Sequence, residues 1–253
     1  MKTTLLLAAA LTLLPAPAMA GKADDLLAAG QFAAAADAAR ADESAENLTL
    51  AAYATLILAA YEADTKDKAL KLIGEAEMDA NTALALKPGH IGATLQKAVA
   101  IGYRAQLTKS PGEAKTARRL MEKAAKAEPK NPLAHTSLGG WHSGAIGELG
   151  GFVAGTVLGA KEDRAIAAFD RALALDSGNP VWRTFYAIGL IDMGEEDQTE
   201  KLRSLLTPAA NGKAKNGFER LIRARAKRLL AALGDEDALE DAAEASRPFA
   251  RIG

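Results

Sequence analysis

Asp163-Arg164-Ala165-Ile166-Ala167-Ala168-Phe169-Asp170-Arg171-Ala172-Leu173-Ala174-Leu175-Asp176, with Asn179 just beyond it, is the stretch on which the reading of this chain turns. Ala165, Phe169 and Ala172 stand at spacings of four and three, which puts them on one face of a helix. Two earlier stretches keep the same register. Ala76, Ala80 and Ala83 are followed by Pro88, and Ala117, Met121 and Ala124 by Pro129. In the third copy Ser177 stands where the proline would be. Small residues on one face let a neighbouring helix come close, and the proline then stops the helix or opens the next one.

This register resembles the second helix of the tetratricopeptide repeat, which carries such a small-residue, aromatic and proline pattern. The resemblance extends in degenerate form over residues 23–210. It implies an all-α fold of antiparallel helix pairs stacked as a right-handed solenoid, with the first helix of each pair lining the concave surface. Repeat scaffolds bind many unrelated things, so the fold alone names no ligand. Counting from Pro129, the positions that a repeat's first helix fills with Trp, Leu, Gly and Tyr hold His135, Leu138, Gly139 and His142. The second helix of that unit then starts its pattern at Ala165, fourteen residues late.

The extra residues form a glycine-rich insertion at about 144–160. Gly147, Gly151, Gly155 and Gly159 recur every four residues, and Glu148 is the single charge from Gly144 to Ala160. As a helix these glycines would present a smooth stripe for another backbone. Each costs a soluble helix about 1 kcal/mol against alanine. Three readings stand: a glycine-faced helix packed against its own protein, a loop or lid, or a contact for a ligand, lipid or partner. Close packing places Gly151 and Gly155 against another helix or a bound apolar ligand. The segment is too short and interrupted for a membrane span.

Met1-Lys2, the apolar run Leu5 to Leu14, Pro15, Pro17 and Ala18-Met19-Ala20 resemble a secretory signal peptide cut before Gly21. The expectation is a periplasmic protein with no transmembrane span in its mature chain. Residues 21–210 would form the repeat domain and 211–253 the C-terminal capping helices. The sequence has no cysteine, so export is not coupled to disulfides. With 31 Lys+Arg against 32 Asp+Glu the formal charge is −1, which gives no electrostatic reason to expect nucleic acid. Apolar residues make up 49% and aromatics 5%, so closely packed alanine-rich helices are expected and no strand. In the capping region, Arg220, Arg223, Arg225, Lys227 and Arg228 share one helix whose apolar stripe is Phe218, Ile222, Ala226, Leu229 and Leu233. The acids from Asp235 to Glu244 would fold back to balance those charges.

Little in the sequence points to catalysis. The histidines are His90, His135 and His142. His135 and His142, seven apart, share a helix face, and Glu148 stands six further along, but this is no HExxH arrangement, and no thiol completes a zinc set. The repeat register makes both of them core residues. There is no Gly-x-Ser-x-Gly, no phosphate loop and no nucleophile–base pair. The expectation is no enzyme and no cofactor or metal. Candidate groove residues, placed by the register, are Leu95, Val99, Tyr103, Leu133, Thr136, Gly140, Trp141, Ser143 and Arg183. They suit an apolar or extended partner, an envelope protein or peptide. The alternative is an apolar small molecule or lipid in a pocket closed by the glycine-rich segment.

Overall fold

The computed structural model describes residues 17–194 and 198–252. The expected leader lies almost wholly outside the described residues, as do Glu195-Glu196-Asp197. The described residues form thirteen α-helices, and no strand. They are α1 (Pro17–Ala29), α2 (Phe32–Arg40), α3 (Ala45–Tyr61), α4 (Lys66–Leu86), α5 (Ile91–Thr108), α6 (Pro111–Ala127) and α7 (Pro132–Leu149). The short α8 (Gly151–Val153) runs into a π-helical turn, Ala154–Leu158. Then come α9 (Glu162–Leu175), α10 (Pro180–Asp192), α11 (Thr199–Asn211), α12 (Gly217–Ala232) and α13 (Glu236–Glu244). Consecutive helices pack as neighbours along the chain, as an all-α helical solenoid requires.

Local chemistry sets most of the helix starts. Ser44, Thr65, Asn131, Asn179, Asn216 and Asp235 each accept a backbone N–H of the first turn on a side-chain oxygen. Pro111, Pro132 and Pro180 occupy the first helical position, where no N–H is needed. Ser110 holds the cap position of α6, but its side chain makes no capping bond. His90 does the same work for α5: its Nδ1 accepts the Ala93 N–H at 3.0 Å.

The nine register residues are all buried: Ala76, Ala80, Ala83, Ala117, Met121, Ala124, Ala165, Phe169 and Ala172. Phe169 shows why small residues are needed around it. Its ring stacks on Tyr186 at 4.9 Å. It fills the space that side chains at Gly139 and Gly189 would take, since a Cβ there would meet the ring at 2.9 and 2.8 Å. These two glycines, on α7 and α10, let one aromatic ring join three helices.

Two features are not those of an open solenoid. Gly217 at the start of α12 lies against Gly30 at the end of α1, where an added Cβ would come within 2.3 Å of the Gly30 Cα. Arg220 donates to Ala28 O at 2.7 Å across the same junction. Beyond α13 the chain crosses back. Phe249 N donates to Ala60 O at 2.7 Å, and its ring is buried among residues of α3, α4 and α5, edge-on to Tyr103 at 5.0 Å. The last helices therefore touch the first, and the stack closes on itself.

Two expectations on charge and packing are corrected. Among the described residues the arginines of α12 form no ion pair with the acids of α13: Arg220, Arg223, Arg225 and Arg228 donate to main-chain carbonyls instead, Arg228 to Ala245 O at the end of α13. Ala28, Gly212 and Ala245 stand at helix C-termini, where carbonyls lack intrahelical donors and so accept these guanidinium groups. The glycine-rich segment is not one helix. Gly150 (φ 73°) ends α7 and Gly159 (φ 71°) ends the π turn. Both lie in the left-handed region that favours glycine. Gly151 has nothing near it, and Gly155 approaches only Ala160 O, at 3.6 Å. The close contacts fall at Gly147, beside Asp192, and at Gly159, beside Arg118.

Candidate functional site

The inward faces of α3, α5, α7, α10 and α12 surround a partly open cavity of about 730 Å³. Its walls are mainly aromatic and aliphatic, from Tyr53, Ile57 and Tyr61 on α3 to Trp182 and Phe185 on α10 and Phe218 on α12. These are the first helices of successive pairs. The second helices lie mostly outside, with their small-residue faces packed, though Pro111, Ala114 and Met121 of α6 and Glu240 of α13 also reach the cavity. The cavity is thus a direct result of the register.

Of the residues the sequence placed in the groove, Val99, Tyr103, Leu133, Thr136, Gly140, Trp141 and Ser143 do line it. Leu95 does not, because it is fully buried with Ala124 and Ala134 between α5, α6 and α7. One residue along a helix turns a side chain by about 100°, enough to move it from groove to core. Arg183 is also outside the wall, with its Nε donating to Ser177 O at 2.8 Å. Gly147 lines the cavity too, while Gly151, Gly155 and Gly159 do not.

The strap after α13 completes the wall. Arg247 and Pro248 line the cavity. Arg247 Nε donates to Asp192 Oδ1 at 2.7 Å, which pins the strap to α10 just before Phe249 reaches α3. Burial raises the Asp192 carboxyl above its ordinary range, against the pull of Arg247. No pattern in the sequence marks this strap as part of the groove. The only trace is Pro248-Phe249, with Ile252 three residues beyond it, in a short tail after the acidic helix.

The cavity is lined largely by neutral groups. Burial raises the hydroxyls of Tyr53 and Tyr61, and that of Tyr103 to about 12, so all three stay protonated at neutral pH. Tyr61 Oη and Thr136 Oγ1 are buried without a hydrogen-bond partner among the described residues. The Arg225 guanidinium sits over the Tyr61 ring, 4.4 Å from its centre. Trp141 Nε1 donates to Ala114 O at 2.9 Å and Trp182 Nε1 to Asp176 Oδ2 at 3.1 Å, so each indole is locked with its ring toward the cavity. On α12, Glu219 accepts the Lys215 N–H at 2.6 Å, and its own N–H donates to the capping Asn216. Its charge is therefore committed to the helix start.

The residues of the weak metal reading each answer to another partner. His135 Nε2 lies 3.0 Å from Pro129 O. His142 is buried, and its Nδ1 accepts the Lys161 N–H at 3.2 Å. Glu148 pairs with Lys109. Among the described residues no group of three His, Cys, Asp or Glu is placed to hold a metal ion. No described helix is long and apolar enough to cross a membrane.

No protein-family model matches the sequence, and no curated protein matches it. Among solved structures, the chain is similar to a thermophilic TPR protein of Thermus thermophilus. The TM-score is 0.60 at 21% identity, over 84% of this chain and 99% of that one. The fold is therefore tetratricopeptide-like.

Proposed function

We propose that this tetratricopeptide-like solenoid is a non-catalytic binding scaffold of the cell envelope, and that its concave face takes an extended apolar segment of a partner protein. One observation carries the reading. The chain's own strap, a run of turns rather than an extended strand, already lies across the concave side, held by a backbone hydrogen bond to Ala60 O, a buried aromatic ring and one ion pair. Main-chain bonding supplies affinity and an aromatic anchor supplies specificity, as in other modes of peptide recognition. The envelope location rests on the apolar run of residues 5–14 and the small residues after it.

The second reading is an apolar small molecule enclosed under the strap. The cavity's size favours it, because ligand pockets typically span roughly 300–1,000 Å³.

One experiment separates the two. Phe249→Ala removes the anchor and frees the groove. That variant should bind a synthetic peptide of residues 245–252, read as a change in the fluorescence of Trp141 and Trp182. Tyr103→Arg, introduced with it, should abolish the response. If no peptide binds, and native mass spectrometry of the purified protein instead finds a bound apolar molecule, the peptide reading fails and the second stands.

A further inference from the structure

The segment between α7 and α9 forms a knob on the outside of the solenoid, with Phe152, Val153 and Val157 turned to solvent. Phe152 is 85% exposed and Val153 43%, with Leu149 and Val157 at 39% each. A phenylalanine this exposed forgoes most of the burial that normally stabilises it. No charged residue occurs from Leu149 to Ala160.

The knob is nonetheless built. Ala154 and Leu158 are buried beneath it. Arg118 on α6 donates Nη1 to Leu158 O at 2.7 Å and to Gly159 O at 3.1 Å. Its backbone bonds close locally, with Ala154 N on Gly150 O at 3.0 Å and Ala160 N on Ala154 O at 3.1 Å. Thr156 offers the knob's single side-chain polar group, and its hydroxyl is spent on Phe152 O at 2.9 Å.

Beside it α6 carries a stripe of exposed cations: Lys115, Arg119, Lys123 and Lys126, continued by Lys130. At about 100° per residue the four on the helix lie roughly 60–140° round it from Arg118, the side chain that holds the knob. None of the five has a carboxylate within ion-pair distance among the described residues.

We propose that the knob and the α6 stripe together dock this protein on an anionic lipid surface. Phe152, Val153 and Val157 enter the headgroup–acyl boundary, and the stripe lies over the lipid phosphates. The surface has the two components that interfacial attachment needs, buried apolar area and unpaired basic charge. It fits a protein partner less well. Lysine is depleted at protein interfaces, and the knob leaves no free side-chain hydrogen-bonding group to read a specific partner.

The purified protein is sedimented with vesicles of phosphatidylcholine alone, or with about one-third phosphatidylglycerol. Binding is expected only to the anionic vesicles, and it should weaken as salt rises. Phe152→Ser should lower the partition coefficient about tenfold. Lys123→Gln and Lys126→Gln should each lower it about fivefold. All three variants should keep the wild-type helical spectrum and melting temperature, because each side chain is exposed. In Phe152→Trp the added indole emission should shift to the blue on the anionic vesicles. The proposal is overturned if anionic vesicles are not bound, or are bound equally by the Phe152→Ser and lysine variants. It is also overturned if Phe152→Ser loses a protein partner while vesicle binding holds, since the knob would then be a protein-docking surface.

Discussion

His142 shows how one side chain can carry a pH response. It is 1% exposed, with its ring edge against Trp141. Because Nδ1 accepts the Lys161 N–H, the neutral ring must carry its proton on Nε2. Burial lowers its pKa from 6.5 to about 4, helped by Arg118 and Arg164 and opposed by Asp163. The unfolded chain would take up a proton near 6.5 that the folded chain refuses. Stability is therefore complete above that value and declines as pH falls from 6.5 toward 4. His142→Gln keeps an acceptor but cannot take the proton. Melting temperatures across this window should fall less for the variant than for wild type, and parallel profiles would refute the assignment. That His142 belongs to the core was legible, because it stands where the repeat uses tyrosine. Its bond to Lys161 was not, because that partner lies beyond an insertion of irregular backbone.

At the scale of elements, the glycines separate into those that permit contact and those that shape the chain. On α7, Gly147 faces Asp192, where an added Cβ would lie 3.0 Å from that residue's Cβ and backbone oxygen. Gly147→Leu should destabilise by about 1–3 kcal/mol through overpacking. Gly151 has nothing within 4 Å, so Gly151→Leu should change the unfolding free energy by less than about 0.5 kcal/mol. Urea denaturation of the two variants decides this, and equal losses would contradict the contacts described. The spacing of four displayed all these glycines as equivalent. The break at Gly150 makes them unequal, since it ends α7 and rotates everything after it.

At the scale of the molecule, closure should govern how the protein unfolds. An open repeat array is held by neighbour contacts only and can fray from either end. Here the Gly30–Gly217 contact and the strap join the two ends. Gly217→Leu would drive a side chain into the α1 terminus and should cost about 3 kcal/mol. It should also split a single transition in two, with far-UV and tryptophan-fluorescence midpoints moving apart. Coincident midpoints at an unchanged urea concentration would show that closure adds nothing to cooperativity.

The sequence by itself determined most of the helices, their order and the packed face of the three register helices α4, α6 and α9. These are set within one or two turns, by caps such as Asn131 and Asn179 and by small residues every three or four positions. Most of the groove followed, because first helices of the pairs face inward. Only the tertiary structure decided the closure, the strap across the cavity and the exposure of Phe152. Each depends on residues far apart in the chain, as Ala60 and Phe249 are, or on the direction the chain takes after a single left-handed glycine. Local periodicity carries no record of either.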